Sequence, residues 1–118
     1  MSRMPKCFSM VLRVLGYRED GECIAHCLEM DIVAEGENFD EACANLWELI
    51  EMQVSFAYFK DQYELLNHPA PPVYFQVFDQ VNQRKISTYS EDLAEGDYYT
   101  TNMPIPKPSK RAFEEVHA

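Results

Sequence analysis

The segment Gly21-Glu-Cys-Ile-Ala-His-Cys-Leu-Glu-Met-Asp31 carries two thiols, an imidazole and several carboxylates in one short run. Those side-chain types are the ligands of zinc and related ions, so metal binding is the first chemistry to test. The residues also alternate in a way that suits an extended strand. Alternation sends Cys23, Ala25, Cys27 and Glu29 to one face, and Ile24, His26, Leu28 and Met30 to the other. Cys23 and Cys27 would then stand about 13 Å apart, too far for one ion to bridge. His26 points away from both thiols. A chelate survives only as an intersubunit or remote-ligand site, for instance Cys27 with Cys43, and no metal or other cofactor is expected.

Catalysis by a nucleophile needs a base beside it and a third group to orient the base. The chain has three histidines: His26 in the strand-like run, His68 in a proline-rich stretch and His117 near the end of the sequence. Neither His68 nor His117 sits in a segment that would hold it rigidly. Glu29, Asp31, Glu35 and Glu37 could bind a hard cation, but their spacing is not that of a calcium loop. Four glycines form neither a phosphate-cradling loop nor a dinucleotide fingerprint. The expectation is a noncatalytic binding module. A small metal-dependent hydrolase using His26 and neighbouring carboxylates is the alternative.

The elements that must position these residues follow from periodicity. Phe8 to Tyr17 alternates as a strand, with Phe8, Met10, Leu12 and Val14 on one side. Asp20-Gly21 suits the positive φ angles of a tight hairpin, and the Cys23 to Met30 run returns as its second strand. Met30 to Glu35 reads as a third short strand, ended by Gly36. Asn38 can cap a helix, with Glu41 reaching back three residues and Asp40 and Glu41 placed well in the helix dipole. Phe39, Ala42, Cys43, Leu46, Leu49, Ile50, Val54, Ala57 and Tyr58 then recur at helical steps to about residue 60. Trp47, Met52 and Phe56 lie outside or at the edge of that stripe and are candidates for self-association.

Asn67-His-Pro-Ala-Pro-Pro72 is a stiff connector. Val73, Tyr74, Val77, Phe78 and Val81 fit a short helix begun by the prolines, although Val73, Phe75 and Val77 also alternate as a strand would. Beyond Ser90 periodicity is lost. The chain therefore divides into an α/β domain over residues 1–88 and an extended or mobile tail over residues 89–118.

A length of 118 residues with 47% apolar content suits one core. No apolar run is long enough to span a membrane, and the first apolar stretch lacks a cleavage site, so a cytoplasmic location with reduced cysteines is expected. The net charge is −10 and is unevenly placed. Residues 1–18 hold four basic side chains and no acid, whereas residues 19–59 hold eleven acids and neither Lys nor Arg. This half of the chain repels phosphate and would suit a basic partner protein.

The run from Arg18 to Met52 resembles the N-terminal domain of the HicB antitoxins and HicB-like proteins. Ala25, Cys27, Glu29, Asp31, Gly36, Glu41, Ala42, Asn45 and Leu46 occupy the positions of that pattern, and with the first strand the likeness covers about residues 8–60. It implies an α+β fold: a two-layer sandwich of three antiparallel strands on one long helix, with a further short strand or helix and a tail. It also implies an antitoxin that covers the active site of a small, basic, RNA-cleaving HicA-type toxin. Glu29, Asp31, Glu35 and Glu37 are the candidate partner-binding face, and a homo-oligomer is expected. Many HicB antitoxins continue into a helix-turn-helix or ribbon-helix-helix segment. The proline-rich connector stands here instead, so operator binding is not expected. Many HicB-like proteins have no known toxin, which leaves an orphan oligomeric protein as a further alternative.

Overall fold

The computed structural model describes residues 10–83 and 98–117, with side chains to residue 114. Four strands form one antiparallel sheet: β1 (Val11–Glu19), β2 (Glu22–Cys27), β3 (Ile32–Gly36) and β4 (Tyr98–Pro104), in the spatial order β3-β2-β1-β4. The helices are α1 (Phe39–Phe59), α2 (Pro72–Gln83) and α3 (Lys110–His117), and a 3₁₀ turn covers Tyr63–Leu66. The α+β class and the long helix on an antiparallel sheet agree with the sequence reading.

The β1–β2 hairpin closes at Glu19 opposite Glu22, with Asp20 at φ 54° and Gly21 at φ 82°. Two successive positive φ values match the right-handed twist of the strands, which is why an Asp-Gly pair serves here. Alternation then sorts β2 as expected. Cys23, Ala25 and Cys27 join Leu12, Val14, Ala34, Phe39, Ala42, Leu46, Ile50 and Val54 in the main core under α1.

Asn38 caps α1, its side chain accepting from the Glu41 amide at 2.8 Å. Glu41 in turn accepts from the Glu37 amide at 3.2 Å, one residue earlier than the expected reach to Asn38. Gly36 does more than end β3. A β-carbon there would stand 2.5 Å from the Ala42 backbone nitrogen, so glycine is what lets the strand approach the first turn of the helix. Asn45 ties the same junction by donating to the Glu35 carbonyl at 2.9 Å.

Two expectations change. The sheet has four strands rather than three, because Tyr98–Pro104 pairs along β1 from Tyr17↔Tyr98 to Val11↔Pro104. The tail expected over residues 89–118 thus includes an edge strand, and α3 follows it onto α1. The Ser109 amide donates to the buried Ser55 hydroxyl at 2.8 Å, and Ala112 is buried. β4 pairs along β1 through its backbone and sends only Tyr99, with Met103 partly buried, into the main core, so its apolar periodicity is too weak to show in the sequence. In agreement with the helical spacing of Val73, Tyr74, Val77, Phe78 and Val81, α2 is a helix begun by Pro72, and it covers part of the sheet's second face. There Leu15, Leu28, Ala70 and Phe78 form a smaller core with Tyr17, Tyr74, Phe75 and Val77. Phe8 and the division at residues 88 and 89 lie outside the described residues.

Candidate functional site

His26 sits on β2, on the face away from Cys23 and Cys27, and is 3% exposed. Burying an imidazole demands partners for its nitrogens. Its Nε2 lies 2.7 Å from Oδ1 of Asp31, which the turn after β2 turns back through a φ of 53°. Nδ1 is buried and has no hydrogen-bond partner among the described residues. The ring packs edge-on against Tyr74 with centroids 4.8 Å apart, and against Tyr17 at 6.4 Å. A carboxylate and an imidazole in contact are the orienting half of a nucleophilic triad. The other half is missing among the described residues: no hydroxyl or thiol hydrogen-bonds to Nδ1, and the thiols of β2 lie on the opposite face.

Among the described residues no cluster of three or more His, Cys, Asp or Glu side chains could hold a metal ion. Cys27 is fully buried, and burial, together with nearby Glu29 and Asp31, pushes its thiol up to about 11 against backbone hydrogen bonds from Met30 and Glu29. Cys43, the remote partner considered for it, has the Tyr99 hydroxyl at 3.3 Å instead, and its thiol is also pushed up by burial. These are core thiols kept in the poorly nucleophilic protonated form.

The four carboxylates singled out in the sequence separate into two pairs. Glu29 accepts from the Arg13 backbone amide at 2.7 Å and from its Nε at 2.6 Å. It supplies the acceptor that β1 lacks once β2 has ended, since the Leu28 carbonyl is turned to the Ala70 amide at 2.8 Å. The Arg13 guanidinium then lies 4.6 Å from the centre of the Phe75 ring. Asp31 is held by His26. Glu35 and Glu37 are exposed at the end of β3, next to Asp40 and Glu41 in the first turn of α1. Among the described residues no ion pair links Glu35, Glu37, Asp40 or Glu41 to a basic side chain.

Of the apolar candidates, Phe56 has an intramolecular neighbour, Phe113 of α3, at 6.1 Å between centroids. Met52 lines a cleft between α1 and α3 with Arg111 and Ala112. Trp47 is half-buried on the same helix.

Sequence reasoning did not find the aromatic group above His26. Tyr17 of β1, Tyr74 of α2 and Tyr98 of β4 line a pocket of about 300 Å³ with Arg18 and Glu19. Tyr17 and Tyr98 are cross-strand partners with ring centroids 5.7 Å apart. Burial first, then the proximity of Tyr74, Glu19, Tyr98 and Asp31, pushes the Tyr17 hydroxyl up to about 12. The three tyrosines come from distant parts of the chain, so only the fold reveals them. Comparison with protein-family models, curated proteins and solved structures returns no match. No helix among the described residues is long and apolar enough to cross a membrane.

Proposed function

We propose that this chain is a noncatalytic, HicB-like protein-binding module whose acidic surface engages a basic partner protein. The observation that carries the reading is the group Glu35, Glu37, Asp40 and Glu41. Glu37, Asp40 and Glu41 are exposed where β3 meets α1, and Glu35 is exposed on the sheet face that carries α2, all without basic partners among the described residues. Unpaired charge of one sign steers and orients an oppositely charged protein.

The fold supports the resemblance in a second way. Ala25, Cys27, Ala42 and Leu46 build the core, Gly36 admits the helix, and Asn45, Glu41, Glu29 and Asp31 satisfy specific polar groups. The residues that carry the likeness are thus the ones that assemble this sheet and helix. In its fullest form the proposal is a cytoplasmic antitoxin that neutralises a HicA-type RNA-cleaving toxin. Its test is whether a HicA-like reading frame adjoins the gene and whether the two proteins copurify. A solitary gene, with no basic protein retained by the tagged chain in its native host, overturns the antitoxin form.

The hydrolase alternative has one observation in its favour, the His26–Asp31 contact. Metal analysis of the purified protein, with wild type and His26→Ala compared on nuclease substrates, decides it. A metal-free, inert wild type removes it. Light scattering reads the expected homo-oligomer directly.

A further inference from the structure

The sheet face that carries α2 also carries a row of cross-strand partners, Tyr98, Tyr17, Ile24 and Glu35, one from each strand. Cross-strand partners project from the same side, and so do residues two apart on one strand. Glu19 and Glu22, themselves partners, therefore flank Tyr17 and Ile24 on that face. Tyr74 closes the row from above, completing the pocket of about 300 Å³. Three aromatic rings from three elements thus line a space with Glu19 and Arg18, and Glu22 and Glu35 lie farther along the same sheet face. The negative faces of such rings attract a flat or alkylated cation, and Arg is the side chain most often found there.

Arg18 reaches the same rim, but it carries an interaction of its own. Its cross-strand partner is Cys23, so its strand position faces α1. Glu19 and Asp31 both act on the Tyr17 hydroxyl, so negative charge stands near the rings. His26 packs edge-on against Tyr74 and Tyr17 behind the pocket lining, with its Nε2 on Asp31. Glu19 at the rim complements a positive charge, and a flat guanidinium suits the faces of the lining rings.

The geometry points to the Tyr17–Tyr74–Tyr98 pocket as a guanidinium site that anchors an arginine side chain of the basic partner protein. The inference rests on the proposed function for its source of arginine, but the site can be tested without the partner. Nuclear magnetic resonance titration of the full chain with Nα-acetyl-arginine methylamide is expected to move the Tyr17, Tyr74 and Tyr98 signals saturably. Nα-acetyl-norleucine methylamide, which has no charge, is expected not to.

Tyr98→Leu and Tyr74→Leu each replace a side chain with solvent contact and should leave the fold intact. Each is expected to weaken the arginine probe by about three- to ten-fold, the range of a single aromatic face against a cation. Glu19→Gln is expected to flatten the salt dependence of binding. Probe shifts confined to Glu35 and Glu37, or affinity unchanged in both tyrosine variants, overturn the anchor. If an arginine-rich peptide binds and loses affinity on Glu35→Gln with Glu37→Gln but not on Tyr98→Leu, the anchor falls and the acidic-surface reading stands. If the probe fills the pocket and no basic protein is retained from the host, the guanidinium site stands and the partner reading falls.

Discussion

Gly16 of β1 and Tyr99 of β4 are cross-strand partners, and the tyrosine ring occupies the space that a β-carbon on Gly16 would need. The ring stands edge-on to Phe39 with centroids 4.7 Å apart, and its hydroxyl reaches Cys43. One missing side chain thus lets the edge strand send an aromatic group into the core beneath α1. An aromatic residue across from a strand glycine covers the backbone the glycine leaves bare.

Gly16→Ala should destabilise the protein by about 1–3 kcal/mol, the usual result of overpacking a filled site. Chemical denaturation measures the loss. In a double-mutant cycle Tyr99→Leu should recover part of it, because the clash is with the ring. Strictly additive effects of the two substitutions would mean that the contact does not limit the fold.

Ser55 and Ser109 make the second long-range tie. Ser55→Ala removes the buried hydroxyl that accepts from the Ser109 amide and should cost about 1 kcal/mol, chiefly in the docking of α3. Amide exchange reads this locally: protection at Ala112 and Phe113 should fall while that of Ala25 and Ile50 is unchanged. Uniform loss across all four amides would show that α3 and the main core open together.

Local signals were legible in the sequence because their physics is local. Asp20-Gly21, the Asn38 cap, the helical stripe from Phe39 and the opposed faces of Cys23 and His26 each depend on residues within a few positions. The strand Tyr98–Pro104 was not legible. It buries Tyr99 but otherwise pairs through its backbone, and its partner β1 lies at the other end of the chain. The same reason hid the tyrosine pocket. The sequence places Asp31 among surface charges, and only the positive φ at that residue returns its carboxylate to His26.

The His26–Asp31 contact separates hydrogen bonding from backbone strain. Asp31→Asn keeps an acceptor and tolerates the left-handed conformation, so its loss should be small, within about 1 kcal/mol. Asp31→Ala strands Nε2 in a buried site and strains the turn, and should cost about 2–3 kcal/mol. His26→Phe removes both ring nitrogens while keeping a planar ring against Tyr74, and should fall between the two. Thermal and urea unfolding rank the three variants. Equal losses for Asp31→Asn and Asp31→Ala would place the whole effect in the charge.

Alkaline pH should weaken the fold in a defined window. The Cys27 thiol rises from 9.0 to about 11 and the Tyr17 hydroxyl from 10.0 to about 12, each chiefly through burial. Both groups are neutral when protonated, and the folded chain holds their protons more tightly than the unfolded chain does. Between the ordinary and the raised values the unfolded state therefore binds fewer protons, and stability falls as pH increases. The contribution is fully present below pH 9.0 and is lost progressively up to about 12. Urea midpoints measured across that range should decline, with Cys27→Ala flattening the lower part of the slope and Tyr17→Phe the upper part. Tyr17 is only half-buried, so its share should be the smaller of the two. A slope identical in wild type and both variants would assign the alkaline loss to other groups.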